Sequence, residues 1–171
     1  MSGKNIILIG MPASGKSSLG VILAKVLGKS FVDTDLVIQQ RENSLLCDII
    51  AKDGITGFME KEESAVLSIH PENSVIATGG SVVYSAEGMK HLSGLGRIIY
   101  LKVEKKELFK RLKNIKERGV VLQPGESLDE MFDTRELLYE KYADITIEEK
   151  NRGIEEVIES ITECLLRECP D

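Results

Sequence analysis

Short apolar runs alternate along the chain with stretches whose apolar residues recur at helical spacing. Asn5-Ile6-Ile7-Leu8-Ile9 is continuous and rich in β-branched residues, which predicts a strand buried on both faces. Leu19, Val21, Ile22, Leu23, Val26 and Leu27 predict a helix over 17–27, with Gly28 as its C-cap. Phe31-Val32 begins a second strand, interrupted by Asp33-Thr34-Asp35, with Asp35 opening the next helix. Ser44 is expected to cap a helix over 45–53 that stops at Gly54, and a further helix covers 58–68. Strands are predicted at 74–77, 97–102 and 144–147, and helices at 85–92, 104 to about 114, 128–142 and 154–166. The stretch 115–127 holds Gly119, Pro124 and Gly125 among charges and is expected to be a mobile lid. Five strands separated by helices require βαβ crossovers. The expected architecture is therefore α/β: a three-layer αβα arrangement around a five-stranded parallel sheet. No repeat or linker interrupts the chain, so residues 1–171 are read as a single domain.

Composition narrows the chemistry. Lys and Arg total 22 and Asp and Glu total 28, a net charge of −6, with no basic block. Such a chain is a poor non-specific binder of nucleic acid or of an anionic membrane. No apolar run approaches a membrane span, and the N-terminus has no signal-peptide pattern, so a cytoplasmic protein is expected, and a monomer is taken as the working expectation. Cys47, Cys164 and Cys169 form no C-x-x-C pair, and His70 and His91 lack metal-ligand spacing. Zinc chemistry and Ser-His or Cys-His nucleophiles are thereby disfavoured. Any reaction must rest on carboxylates, lysine, arginine, backbone amides and a bound ion.

Gly10-Met11-Pro12-Ala13-Ser14-Gly15-Lys16-Ser17 fits G-x-x-x-x-G-K-[ST] between a predicted strand and a predicted helix. Chance would produce the pattern in about one chain of this length in 200, and the strand-loop-helix context reduces that further. In such a loop the backbone N–H groups, Gly10, Ala13, Ser14, Gly15, Ser17 and Ser18 included, surround phosphate oxygens at a helix N-terminus. Lys16 supplies charge to the β- and γ-phosphates, and the Ser17 hydroxyl is a ligand for Mg²⁺. ATP with Mg²⁺ is the expected cofactor.

The rest of the chain selects among phosphate-loop proteins. It has no guanine-reading N-K-x-D, and Val75-Ile76-Ala77 runs into Thr78-Gly79-Gly80 rather than into a metal-holding Asp. The acids follow the second strand instead. Asp33 is placed to hold a magnesium water beside Ser17, and Asp35 to orient an acceptor hydroxyl or take its proton. A plain helix N-cap is the competing reading for Asp35. Arg118, in the polar stretch between two helices, is placed to bring positive charge to the transferring phosphate as a lid closes.

Together these motifs resemble the shikimate kinases, within the nucleoside-monophosphate-kinase-like group of P-loop enzymes. The resemblance runs from Asn5 to about Ile147. It rests on the phosphate loop, Phe31-Val32-Asp33-Thr34-Asp35, Ile76-Ala77-Thr78-Gly79-Gly80, Arg118, and Arg135-Glu136-Leu137-Leu138-Tyr139. It implies that Asp35 touches the substrate hydroxyls, that Gly79 and Gly80 line the substrate, and that Arg135 binds its carboxylate. It also implies that Arg118 contacts ATP, with Arg111 near the adenine and Arg152 near the nucleotide, and that the helices over about 35–68 hold the substrate. The catalytic set would be Lys16, Asp35 and Arg118, acting on shikimate or a related hydroxy acid in aromatic amino acid biosynthesis.

Two positions depart from the family pattern. Phe-Arg-x-x-Glu is replaced by Phe58-Met59-Glu60-Lys61-Glu62, and the third glycine of the glycine run by Ser81. A lost charge-assisted bond to a carboxylate costs roughly 1.5–3 kcal/mol. Lys61 faces away from position 59 and is no substitute. Two alternatives therefore stand beside shikimate: a kinase for another small hydroxylated acceptor, and a non-catalytic nucleotide-binding regulator. Glu60, Glu62 and Glu63 read as a solvated helix face, with Glu62 as the one acid that would orient Arg135.

Overall fold

A computed structural model describes residues 5–112, 120–123, 125–150 and 152–167. Its five strands are β1 (Asn5–Ile9), β2 (Ser30–Asp33), β3 (Ser74–Ala77), β4 (Gly96–Lys102) and β5 (Ile145–Glu148). All pairs are parallel, in the order β2-β3-β1-β4-β5. The helices are α1 (Lys16–Leu27), α2 (Thr34–Glu42), α3 (Leu46–Ser68), α4 (Ala86–Leu95), α5 (Lys105–Arg111), α6 (Leu128–Tyr142) and α7 (Ile154–Arg167), with a 3₁₀ turn at Val82–Tyr84.

Strand β1 is buried along its whole length because both faces are covered. Its residues alternate between two cores, as the pleat dictates. Ile7 and Ile9 pack with Met89 and Leu92 of α4 and with Phe132 and Tyr139 of α6. Ile6 and Leu8 pack with Leu19 and Leu23 of α1 and with Val157 and Ile161 of α7. The three-layer parallel architecture expected from the sequence is thus the one observed. A smaller cluster of Ile38, Ile49, Phe58, Ala65 and Val121 ties α2 and α3 to the stretch before α6.

Helix boundaries follow local chemistry, with some differences from expectation. Gly28 closes α1 at φ 64°, and the Lys29 N–H reaches Ala24 O at 2.8 Å. The N-cap of α2 is Asp33, whose Oδ1 accepts from Asp35 N at 2.9 Å, so Asp35 lies in the first turn and is not the cap. Ser44 caps nothing by its side chain. Leu45 stands at the start of α3, while the Ser44 N–H closes α2 on Gln39 O. The helices expected at 45–53 and 58–68 run together as α3, broken in geometry at Gly54 (φ 72°, ψ −179°). Strand β5 begins at Ile145, and Asp144 just before it is tied to β4 through its N–H to Ile98 O at 2.9 Å and its carboxylate, which accepts from Ile98 N at 2.8 Å. Among the described residues no helix is long and apolar enough to cross a membrane. The proposed lid residue Arg118, and Cys169, lie outside the described residues.

Candidate active site

The carboxyl ends of β1, β2 and β3 meet at a cavity of about 390 Å³, where open parallel sheets bind ligands. Lys16 and Ser17 come to it from the phosphate loop, Asp35 from α2, Glu62 from α3, Gly79 and Gly80 from the end of β3, and Arg135 from α6. Lys16, Ser17, Asp35, Gly79, Gly80 and Arg135, singled out from dispersed motifs, therefore border one space.

In the phosphate loop Ala13 adopts a left-handed conformation (φ 63°), and the Ser14 N–H turns back to Met11 O at 3.1 Å. The Lys16 ammonium is buried and folds over the loop. It donates to Gly10 O and Met11 O at 2.8 Å each and to Ser14 Oγ at 3.4 Å. Burial lowers its pKa to about 8, against the opposing pull of the Asp35 and Asp33 carboxylates. A loop whose only cation is spent on neutral carbonyls gains by exchanging them for phosphate oxygens.

Asp35 stands at the other side of the cavity with its pKa raised to about 6. Burial is the main cause, the Asp33 charge adds to it, and Lys16 opposes it. The glycine pair after β3 is tightly wedged. Gly79 N donates to Thr34 Oγ1 at 3.2 Å, and Gly80 O accepts from Tyr139 Oη. A Cβ on Gly79 would strike Glu62 Oε1 and lie 2.8 Å from Asp35 Oδ1, so only glycine lets the two carboxyls approach this backbone.

Arg135 is 1% exposed, which removes the alternative of a surface pair on α6; Glu136 is engaged with Lys102 at 3.0 Å instead. Its Nη2 donates to Val121 O and its Nε to Tyr84 Oη at 3.3 Å, with the guanidinium over the Tyr84 ring. Its Nη1 is buried with no partner. An unpaired guanidinium N–H bordering a cavity calls for an anion or a carbonyl.

Glu62 overturns the reading of a solvated acidic face. It is 3% exposed, and its Oε2 accepts from Ser81 Oγ at 2.7 Å. No hydrogen bond or ion pair joins it to Arg135, so it does not orient that guanidinium. Its Oε1 has no partner, and burial lifts its pKa to about 7 despite the Ser81 bond. Glu63 meets Ser85 Oγ at 2.5 Å, and Glu60 alone of the three is exposed. Met59 packs against the α2–α3 apolar cluster, and Lys61 pairs with Glu42 and Asp53. The sequence marks Ser81 as a departure whose hydroxyl could bind a polar group, but not that the group is Glu62, and it gives no sign of Tyr84 as a partner of Arg135, because these contacts join segments distant in the chain. The serine in the glycine run was the one local signal.

Beyond the loop, Arg111 and Arg152 border a second cleft of about 320 Å³ with Glu107, Glu149 and Lys150. Arg111 forms a two-pronged pair with Glu149 at 3.0 and 3.2 Å, and Arg152 donates to Ser160 Oγ at 3.1 Å. A smaller, mainly apolar slot bordered by Ser14, Ser18, Leu101, Ile147 and Val157 lies against the loop and shares Glu149 with this cleft. For a divalent ion, the hard donors near the loop include the Ser17 hydroxyl and the Asp33 and Asp35 carboxylates. Asp33 commits only Oδ1 to the backbone. A hydroxyl and one carboxylate oxygen, completed by phosphates and water, suit Mg²⁺. Among the described residues no cluster of three or more His, Cys, Asp or Glu offers a metal site of another kind.

A phosphate loop feeding a cavity that ends in a buried carboxyl and a buried arginine defines a P-loop small-molecule kinase. Comparison with known proteins carries this further. The family model described as shikimate kinase matches residues 12–166. The shikimate kinase of Alkaliphilus oremlandii is 39% identical over 167 residues, covering 92% of this chain and 96% of its own. That of Thermodesulfovibrio yellowstonii is 40% identical over 161 residues, covering 92% of each. Among solved structures, shikimate kinase from Acinetobacter baumannii in complex with shikimate superposes with a TM-score of 0.88 at 28% identity, covering 98% of this chain and 96% of its own. The Aquifex aeolicus shikimate kinase gives 0.76 at 28% identity, covering 94% and 95%. The chain belongs to the shikimate kinase family.

Proposed function

We propose that this protein transfers the γ-phosphoryl group of ATP to the 3-hydroxyl of shikimate, a step of aromatic amino acid biosynthesis. The observation that carries the reading is the joining, in one cavity, of the phosphate loop to Asp35 and to the unpartnered Nη1 of buried Arg135. Arg135 takes the ring carboxylate, completing the donor that the protein leaves open. Gly79 and Gly80 border the space that takes the ring, and their missing Cβ atoms let Glu62, Asp35 and Pro12 close in beside it. Asp35 accepts a hydrogen bond from the hydroxyl and, with its pKa near 6, takes its proton as the oxygen attacks in line. Lys16 leaves its loop carbonyls for the phosphate oxygens and offsets the charge that spreads over the transferring group.

Ser17 and Asp33 would hold Mg²⁺, which supplies further neutralisation of the phosphate oxygens. Arg118 closing over the phosphates, Arg111 and Arg152 flanking the nucleotide, and a cytoplasmic monomer complete the reading. The test is a coupled assay of ADP release with a panel of acceptors: shikimate, gluconate and a nucleoside monophosphate. Release that depends on shikimate is expected. Far better use of another acceptor would reject the substrate assignment, and acceptor-independent release would reject the kinase.

A further inference from the structure

Arg135 is the cation that receives the acceptor carboxylate in this mechanism, and the groups that hold it carry no charge. A guanidinium has five N–H donors in a rigid fork. In Arg135 the Nε donor goes to Tyr84 Oη at 3.3 Å, and Nη2 donates to Val121 O. The face of the fork rests over the Tyr84 ring, with Cζ 5.2 Å from the ring centroid. Nη1 is left unpaired. The cradle is thus a phenol, an aromatic face and a peptide carbonyl. Glu62, the buried carboxyl of the same cavity, is bonded to Ser81 instead.

A carboxylate in the cradle would fix the guanidinium equally well, but it would cancel the charge, and an incoming acid would have to displace it. A neutral cradle fixes the fork and leaves its charge to the acceptor. It also removes in advance the rotamer freedom that a long side chain otherwise loses on binding. Tyr84 suits this task by its place in the chain. It closes the 3₁₀ turn at Val82–Tyr84, its N–H donates to Ser81 O at 3.0 Å, and Val82 and Val83 are buried in the core. Tyr84 does not itself line the cavity, whereas Gly79, Gly80 and Ser81 just before it do. Helix α6 is docked by other contacts. One turn beyond Arg135, Tyr139 stacks on Tyr100 with centroids 5.0 Å apart and donates to Gly80 O. Loss of Tyr84 therefore frees the guanidinium without freeing the helix.

We propose that Tyr84 is a positioning residue that acts through Arg135: its ring and hydroxyl hold the guanidinium ready for the acceptor without neutralising it, and so set the preference of the site for an anionic acceptor. The proposal rests on the shikimate reading and deepens it. Arg135 supplies the charge, and Tyr84 decides how much of that charge the acceptor gains.

Two variants of the full-length protein, Tyr84→Phe and Tyr84→Leu, test this with two acceptors: shikimate and its primary amide, which keeps the shape and lacks the charge. Tyr84→Phe removes the hydroxyl alone and should raise the shikimate KM about fivefold. Tyr84→Leu removes the aromatic face as well and should raise it about 30-fold. On the amide the losses should be about twofold and fivefold, because a neutral carbonyl draws less on the guanidinium. The preference for the acid over the amide then falls about sixfold in Tyr84→Leu and is largely restored in Tyr84→Phe. With shikimate saturating, kcat should stay within about twofold, as should the KM for ATP, since Asp35 and Lys16 are untouched. Equal fold-losses on acid and amide, or a fall in kcat at unchanged shikimate KM, would overturn the assignment. If Tyr84→Leu folds poorly, the fivefold against twofold contrast in Tyr84→Phe decides the question. Absence of any transfer to shikimate by the unmodified protein would overturn the functional reading and this proposal together. Transfer to shikimate with equal losses on the two acceptors would overturn the role of Tyr84 alone.

Discussion

Three side chains around the cavity hold their protons with altered affinity, and burial is the leading cause in each case. For Glu62 the rise from 4.5 to about 7 means that the folded state binds a proton more tightly than the unfolded chain. The stability linked to that proton is complete below about pH 4.5 and is lost as pH rises through about 7. The rise corresponds to about 3 kcal/mol. Glu62→Gln, which keeps the shape and a hydrogen bond to Ser81, should therefore raise Tm at pH 8 and leave it nearly unchanged at pH 5. Thermal denaturation of the two proteins at the two pH values checks this, and a Tm gain independent of pH would contradict it. Asp35 makes a different prediction. Asp35→Asn keeps the shape but cannot take the hydroxyl proton, so kcat should fall on the order of 10²- to 10⁴-fold with little change in the KM for ATP. Near-normal turnover in the ADP-release assay would remove Asp35 from its assigned role.

At the scale of elements, the site depends on helices being started and anchored in the right place, and α6 shows how. Ser127 Oγ accepts from Glu130 N at 3.2 Å, while Glu130 Oε2 accepts from Ser127 N at 2.8 Å, a reciprocal capping box. Lys105 then bridges Asp129 and Asp133, and Lys102 bridges Glu136 and Glu140, tying the helix to β4 and α5. Ser127→Ala should cost about 1 kcal/mol, read as a Tm lower by roughly 2–4 °C. The KM for shikimate should hold, because Arg135 sits two turns further along and is fixed by Tyr84 and Val121. Helix existence was legible from apolar spacing, and the helix starts were not uniformly so. Asp33 and Asp35 are equally good caps as letters, and only the path of β2 decides for Asp33. Glu62 was misread for a related reason. Three acids within four residues of α3 look like a solvated face, and what buries one of them is Ser81, contributed by a segment 19 residues further along the chain. The phosphate loop was legible because its entire mechanism is local to eight consecutive residues.

At the scale of the molecule, the parallel sheet followed from alternating strands and helices, but the order β2-β3-β1-β4-β5 did not, because long crossovers leave strand order open. What holds β1 in the middle lies partly at the end opposite the site. Asn5 is buried at the start of β1 and read in the sequence as no more than the first letter of a strand. Its Nδ2 donates to Pro71 O at 2.7 Å and to Leu95 O at 3.1 Å, and its Oδ1 accepts from Ser74 N at 2.9 Å. One amide thus ties the starts of β1 and β3 and the end of α4 together, while the loop at the other end of β1 carries the phosphates. Asn5→Ala leaves the buried Ser74 N–H and two carbonyls unpaired at once. The cost should be about 3 kcal/mol, lowering Tm by roughly 6–12 °C. Because the damage is a strand's length away from Lys16, the KM values for ATP and shikimate should be unchanged well below the transition. Denaturant unfolding together with steady-state kinetics separates the two effects. A loss of stability under about 1 kcal/mol would show that water or backbone adjustment satisfies the freed groups. A matching loss of substrate affinity would show instead that the amide clamp sets the geometry of the cavity as well as the order of the sheet.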